Sequence, residues 1–223
     1  MALTQFGLWA RNLSKTERVE FADEQRCVIS LYERHFPGVR NVRVFKVLVD
    51  VVETVQRPNV GIAAGVALVE VPFDLRDYFR SGSEQKKRII LELLQDGVRK
   101  ASKQLGWPLD PFEEAYRKVQ ELDYKNEWTW QTKKWNSVRT HSAEIYCLHE
   151  IDRLDAYMIV RDADGREVKR VLLFSERPNE FQFADHLGKL KWTSTTVVEL
   201  LSKGGERRWT VELNEQQKES FTK

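Results

Sequence analysis

Apolar positions in this chain change period twice, and the changes divide it into three stretches. The first, Val42–Val71, reads VRVFKVLVDVVETVQRPNVGIAAGVALVEV: two Val-rich runs around Gln56-Arg57-Pro58-Asn59. Val resists helix and suits a pleated surface, and Pro-Asn is turn chemistry, so the stretch predicts a hairpin of two long strands. Apolar side chains of Val42–Val55 fall on both faces: Val44, Leu48 and Val52 on one, Phe45, Val47, Val49, Val51 and Val55 on the other. A strand apolar on both sides belongs in the middle of a covered sheet. Gly61, Ala63, Ala64, Gly65 and Ala67 crowd the second run, and such small residues let a helix lie close on the sheet.

The second stretch has helical spacing. Ile90, Leu93, Leu94, Val98, Ala101 and Leu105 form one stripe, capped by Ser81 or Ser83 and stopped by Gly106 and Pro108. A second helix starts at Asp110-Pro111, with acids suited to the positive end of its dipole, and carries Phe112, Tyr116, Val119 and Leu122. The predicted helices span about 83–106 and 110–124. From Glu127 the period returns to two, predicting strands at Glu127–Arg139, Ser142–Glu150, Ala156–Arg161, Glu167–Phe174 and Glu180–Phe183. Asp162-Ala-Asp-Gly165 is a tight turn between two of them. Lys191–Leu213 reads as a hairpin turning at Lys203-Gly204-Gly205, or else with a short helix at Thr195–Leu201, and Asn214–Lys223 as a polar tail. Before residue 42, Ser14-Lys-Thr-Glu17 has the form of a capping box, and Asp23–Phe36 reads as helix, or alternatively as two strands at Arg18–Ala22 and Arg26–Glu33.

The fold expected is α+β: a mainly antiparallel sheet with a central hairpin at about 42–71, two helices packed on it, and a strand-rich C-terminal half. A single domain over 1–223 is expected, with any sub-boundary near 124–127.

Composition changes this picture little. Charged residues make up 31% of the chain and hydrophobic ones 41%, a globular balance, and 36 basic against 34 acidic residues leave a net charge of +2 that selects no partner. Cys27 and Cys147 are too few and too far apart for a disulfide framework or a zinc site, which suggests free thiols in the cytoplasm. No long apolar run suggests a signal peptide or a membrane span.

Most candidate chemistry fails on spacing. Asp162-Ala-Asp-Gly165 would need a Glu twelfth in a calcium loop, where Leu173 stands. His141 and His149 are about 26 Å apart along an extended strand, too far to share a metal. There is no GxSxG elbow, and Gly61–Gly65 lacks the lysine and following helix of a phosphate loop, so no cofactor is expected. His149-Glu150 with Asp152 and Asp155 reads as a solvated loop group, with a catalytic group as the alternative. Asp50 interrupts an apolar strand; with a hairpin turning at Arg57-Pro58 it would lie opposite Gly65, rungs away from Glu70, and would pair with a basic residue of the helices.

One segment stands out, Glu127-Trp-Thr-Trp-Gln-Thr-Lys-Lys-Trp-Asn-Ser-Val-Arg139. As a strand it would place Trp128, Trp130 and Lys134 on one face and Lys133, Trp135 and Arg139 on the other. An exposed aromatic between cations can anchor a protein partner or stack bases beside phosphates; alternatively all three indoles belong to the core while the lysines reach past them to water. No motif identifies a function. The pattern favours an interaction protein without catalysis, of the adaptor or toxin-neutralising (immunity-like) kind, binding another protein through Trp128, Trp130, Lys133, Lys134, Trp135 and Arg139. The alternative is a nucleic-acid-binding protein or metal-dependent nuclease using strand 128–139 and the basic helix 83–106, whose Lys86-Lys87-Arg88 and Arg99-Lys100-Lys103 face outward. A small-molecule pocket over the Gly-Ala strand is a third reading.

Overall fold

The computed structural model describes residues 2–40 and 43–213. Val42, with which the first predicted strand opens, and the tail Asn214–Lys223 lie outside the described residues. The chain is α+β and contains antiparallel sheets. It divides into two compact units, Met1–Asn126 with Glu150–Asp152, and Glu127–His149 with Arg153–Lys223.

The N-terminal unit is built on a four-stranded sheet, and its Val-rich strands are not a hairpin. Strand β1 (Ala2–Leu3) pairs with β3 (Val39–Arg40) in a small ladder of its own. The main sheet runs β2 (Gln5–Trp9), β4 (Lys46–Val52), β6 (Val66–Pro72), β5 (Gly61–Ala63); the first three are parallel, and only β5 is antiparallel to its neighbour. The tight reversal lies at Ala64-Gly65, both with positive φ (48° and 78°), the backbone of a two-residue hairpin between β5 and β6. At Arg57-Pro58 the chain only begins its return, because the Glu70 carboxylate accepts the Gln56 and Arg57 N–H groups (2.7 Å each) and holds them as a loop. Most of the small residues therefore serve this reversal: Gly61, Ala63 and Ala64 are exposed, and Ala67 alone of the five is buried.

Helices pack on this sheet and on one another. Ser14 and Glu17 close the capping box of α1 (Lys15–Glu24), and α2 (Arg26–His35) follows directly, so the helical reading of this region holds and the two-strand one does not. The α2 region takes up the outer edge of β2 with side chains. Glu33 Oε1 accepts from Phe6 N (2.8 Å), while Gln25 accepts from Leu8 N (2.6 Å) and donates to Leu8 O (3.1 Å). An edge strand satisfied in this way offers no template to another chain. After the short α3 (Leu75–Arg80), capped by Asp74, comes α4 (Ser83–Leu105), with Gly82 rather than a serine at its N-cap and Gly106 left-handed at its end. Helix α4 lies on β2, β4 and β6; α5 (Asp110–Glu121) packs on α2 and α4 and brings Phe112 against Phe6 of β2. Rings of Phe6, Tyr32, Phe36 and Phe112 fill the space between, with Phe6 and Phe36 edge to face at 4.9 Å.

The C-terminal unit is built mainly on antiparallel pairing. Strands β7 (Asn126–Trp135), β8 (His141–His149), β9 (Leu154–Asp162) and β10 (Glu167–Glu176) form one meander, and β11 (Lys189–Trp192), β12 (Val197–Leu201) and β13 (Arg208–Glu212) a second. The two sheets share a core: Ile145, Cys147, Ala156 and Met158 meet Leu190, Val198, Leu200 and Val211. Glu180–Phe183 is the helix α6 rather than a strand, since the Asn179 side chain accepts from Phe181 N and caps it. Thr195–Leu201 contributes strand β12, not a helix. Both cysteines are free and buried. Among the described residues no helix is long and apolar enough to cross a membrane.

Gly97 sets the distance between α4 and the sheet, because a Cβ there would stand 2.3 Å from Val49 Cγ2. Gly97→Ala should therefore lower the midpoint of urea unfolding despite a helix-propensity gain of roughly 1 kcal/mol, because overpacking costs about 1–3 kcal/mol. Adding Val49→Ala should recover part of the loss. An unchanged midpoint for the single variant would show that α4 is not held at this distance.

Candidate functional site

The aromatic-basic segment is only in part the surface that its alternation suggests. Trp128 and Trp130 are half-buried against the core of the C-terminal unit, the Trp128 ring 6.2 Å from His149. At Gln131 the backbone turns left-handed (φ 64°), alternation breaks, and β7 ends at Trp135 instead of running on to Arg139. Beyond the break Lys133 Nζ lies 5.3 Å from the centre of the Trp135 ring, which is 37% exposed. Lys134 shares a cleft with Trp135 rather than a face with Trp128 and Trp130. Arg139 sits in the β7–β8 turn with φ 56°, off the strand and not among the residues that line the cleft.

The opposite wall comes from the end of β11. An open cleft of about 450 Å³ lies between Lys134, Trp135 and Ser137 on one side and Lys191, Trp192 and Ser194 on the other. Trp192 Nε1 donates to Lys134 O (2.8 Å), which fixes the second indole against the first strand. Asn136, buried beside Trp135, braces both walls: its Oδ1 accepts from Thr140 N (3.0 Å), and its Nδ2 donates to Thr195 O (2.8 Å). Lys191 Nζ is 3.4 Å from the buried Glu199, so its charge stays at the rim. The held Trp192 ring and the part-exposed Trp135 ring, beside Lys133, Lys134 and Lys191, can receive a flat or apolar group and an anionic one together.

Sequence reasoning missed Trp192, Lys191 and Asn136. A signal for the first two was available, since Lys191-Trp192 repeats the dipeptide Lys134-Trp135. That the two copies meet is a matter of how the sheets pack.

The buried acids are arranged otherwise than expected. In the parallel register Asp50 is the direct partner of Glu70, not rungs away from it, and the two are 2% and 3% exposed. Their counter-charges come from loops rather than helices. Asp50 Oδ2 accepts from Arg11 Nη2 and from Arg57 Nη2 (3.2 Å); Glu70 Oε1 accepts from Arg57 Nε (2.7 Å) and Arg11 Nη2 (3.1 Å). Among the described residues no three His, Cys, Asp or Glu side chains come together as a metal site. The His149-Glu150 group is dispersed over separate partners: His149 Nε2 is 3.0 Å from Pro178 O, Glu150 pairs with Lys87 (2.7 Å), and Asp155 with Arg153 (2.9 Å). Helix α4 is less basic outside than its sequence suggests, because Lys86 and Lys87 are buried, Lys86 against Glu24 (2.7 Å) and Lys87 against Glu84 and Glu150.

Backbone N–H of Arg57 first, then its guanidinium and Gln56 N–H, hold the Glu70 carboxyl down to about 2 from an ordinary value near 4.5, against the opposing effect of burial. A carboxyl with a depressed folded value stabilises the fold above its unfolded value, and that contribution is lost as pH falls through the folded one. Thermal stability should therefore decline as pH drops from about 4.5 to about 2, and Glu70→Gln should flatten the profile in that window while lowering stability at neutral pH. Parallel profiles for the two proteins, from melts at half-unit pH steps, would contradict this assignment.

No protein-family model, no curated protein and no solved structure matches this chain, so what the site can do has to follow from its own side chains.

Proposed function

We propose that this chain is a binding protein without catalysis, of the adaptor or toxin-neutralising (immunity-like) kind, which holds a protein partner in the Trp135–Trp192 cleft. The observation that carries the reading is the presence of two indoles in one open cleft, Trp192 held by its hydrogen bond to Lys134 O and Trp135 stacked with Lys133. Trp is prominent among residues that dominate binding energy, because it brings large contact area at small entropic cost. The lysines select the complement: an acidic segment with an aromatic or aliphatic side chain that enters between the rings. Two buried free thiols suit action in the reducing cytoplasm.

A second reading draws on the same lysines. Indole stacking beside Lys133, Lys134 and Lys191 also suits single-stranded nucleic acid, whose binding would fall steeply with salt. Burial of Lys86 and Lys87 weakens the part assigned to α4 in that reading, and the acid pair engaged by two arginines weakens its nuclease form.

The test separates binding from folding by using two tryptophans of one strand. Trp135→Ala should leave the melting temperature nearly unchanged and weaken a purified partner at least about 30-fold, equivalent to a hot-spot loss of about 2 kcal/mol. Trp130→Ala should instead cost about 3 kcal/mol of stability. A nuclease-resistant stoichiometric partner that binds the Trp135 variant as tightly as the wild type would remove the cleft from the proposal. A fluorescent oligonucleotide bound at low salt and released by 0.3 M salt would favour the second reading.

A further inference from the structure

The C-terminal ends of the parallel strands in the N-terminal unit gather a pair of arginines whose inner nitrogens are engaged and whose outer ones are not. Arg11 lies two residues beyond β2, and Arg57 in the loop after β4. Both guanidinium groups converge on one oxygen, Asp50 Oδ2, and both also donate to Glu70 Oε1. The carboxylate side chains are 2% exposed, the arginines 40% and 51%. Nη1 of each arginine, and Nε of Arg11, has no acceptor among the described residues. The acids thus hold two planar donor groups side by side and leave their free edges toward solvent. Lys100 Nζ, donating to Glu70 O (3.0 Å), adds a third cation against two acids.

The surroundings are shaped as well as charged. An open cleft of about 320 Å³ adjoins Arg57 and Glu70, walled by the Gln56–Gly61 loop and by Leu68. That volume is at the lower end for a small-molecule site. Its loop is fixed at both ends, by the Glu70 carboxylate on the N–H groups of Gln56 and Arg57 and by Gln104, which accepts from Val60 N (2.7 Å) and donates to Pro58 O (2.9 Å). Gly61 leaves open space where a side chain would stand. Receptors of this kind need donors placed before the ligand arrives, since ordering them on binding costs affinity. Paired guanidinium groups match the oxygens of a phosphate in number and geometry better than ammonium groups do.

We propose that Arg11 and Arg57 form a receptor for the phosphate group of a small phosphate monoester, whose organic part occupies the cleft between the Gln56–Gly61 loop and Leu68. Asp50 and Glu70 act as positioning residues that aim the guanidinium pair. The proposal uses residues of the N-terminal unit alone and stands or falls independently of the tryptophan cleft.

Two measurements on the full chain test it. Phenylglyoxal labelling of the wild-type protein, read by peptide mass spectrometry, reports each arginine without any substitution. Phenyl phosphate should slow modification of Arg11 and Arg57 at least fivefold and leave Arg76 and Arg166 unaffected; inorganic phosphate should do the same only at several times the concentration. Benzoate, an anion of similar shape with a carboxylate, should protect far less. Equal slowing at all four arginines, no protection at millimolar phenyl phosphate, or equal potency of phenyl and inorganic phosphate would each overturn the proposal. Calorimetric titration with phenyl phosphate should then show at least tenfold weaker binding to Arg57→Lys, which keeps the charge and loses the fork. Binding unchanged in a folded Arg57→Lys protein would overturn it too.

Discussion

Two carboxylates stand side by side on adjacent parallel strands, and the arrangement of the N-terminal unit answers to them. Asp50 and Glu70 are direct partners in the β4–β6 register and are almost fully buried. Left alone, such a pair would expel itself from the interior, since each charge loses its hydration and repels the other. Arg11 and Arg57 offset this, and each must be delivered from a segment without regular structure. The loop after β4 is drawn in by its backbone as well as its side chain, with Glu70 accepting from Gln56 and Arg57. The acid pair thus fixes the start of the connection, and the reversal at Ala64-Gly65 brings β6 back parallel to β4.

Close approach of α4 is the companion constraint. The sheet is covered by a long helix whose Gly97 lies against Val49, and an edge strand β2 is sealed by side chains of Gln25 and Glu33. Tyr32 OH donates to Phe112 O (3.1 Å) and ties α2 to α5 around the same aromatic cluster. In the C-terminal unit, by contrast, antiparallel ladders build the core, with register shifts in the β9–β10 pair and a further break in the strand pattern beside the cleft. The left-handed Gln131, the buried Asn136 and the turn residue Arg139 all lie within the nine residues 131–139, which end one strand and lead towards the next. Departure from the strand pattern is what separates Lys134 from the face that Trp128 and Trp130 occupy and puts it beside Trp135.

Both candidate sites follow one physical logic: a buried polar group fixes an exposed one. Asn136 holds the strand end and the facing loop between which two indoles sit. Asp50 and Glu70 hold two guanidinium groups by their inner nitrogens. In each case a group that could meet a partner, Trp192 in the one and the guanidinium pair in the other, has lost conformational freedom during folding, which lowers what binding would have to supply.

The local pattern along the chain determined much of the secondary structure. The stripe from Ile90 to Leu105 with Gly106 behind it, the capping box at Ser14, the Asp162–Gly165 turn and the period-two strands after Glu127 depend on neighbours three or four residues away at most, and such signals are written in order along the chain. The α+β class follows from them. Strand direction does not, because β4 and β6 carry the same alternation whether parallel or antiparallel, and the chain reverses at Ala64-Gly65 rather than at Arg57-Pro58. The candidate sites are legible in part: the segment 128–135 could be singled out from its composition, but Trp192 joins it from 57 residues further on. Arg11 likewise meets Asp50 across 39 residues. Contacts of that separation arise from how sheets and loops pack, a property of the folded whole that no periodicity within one segment encodes.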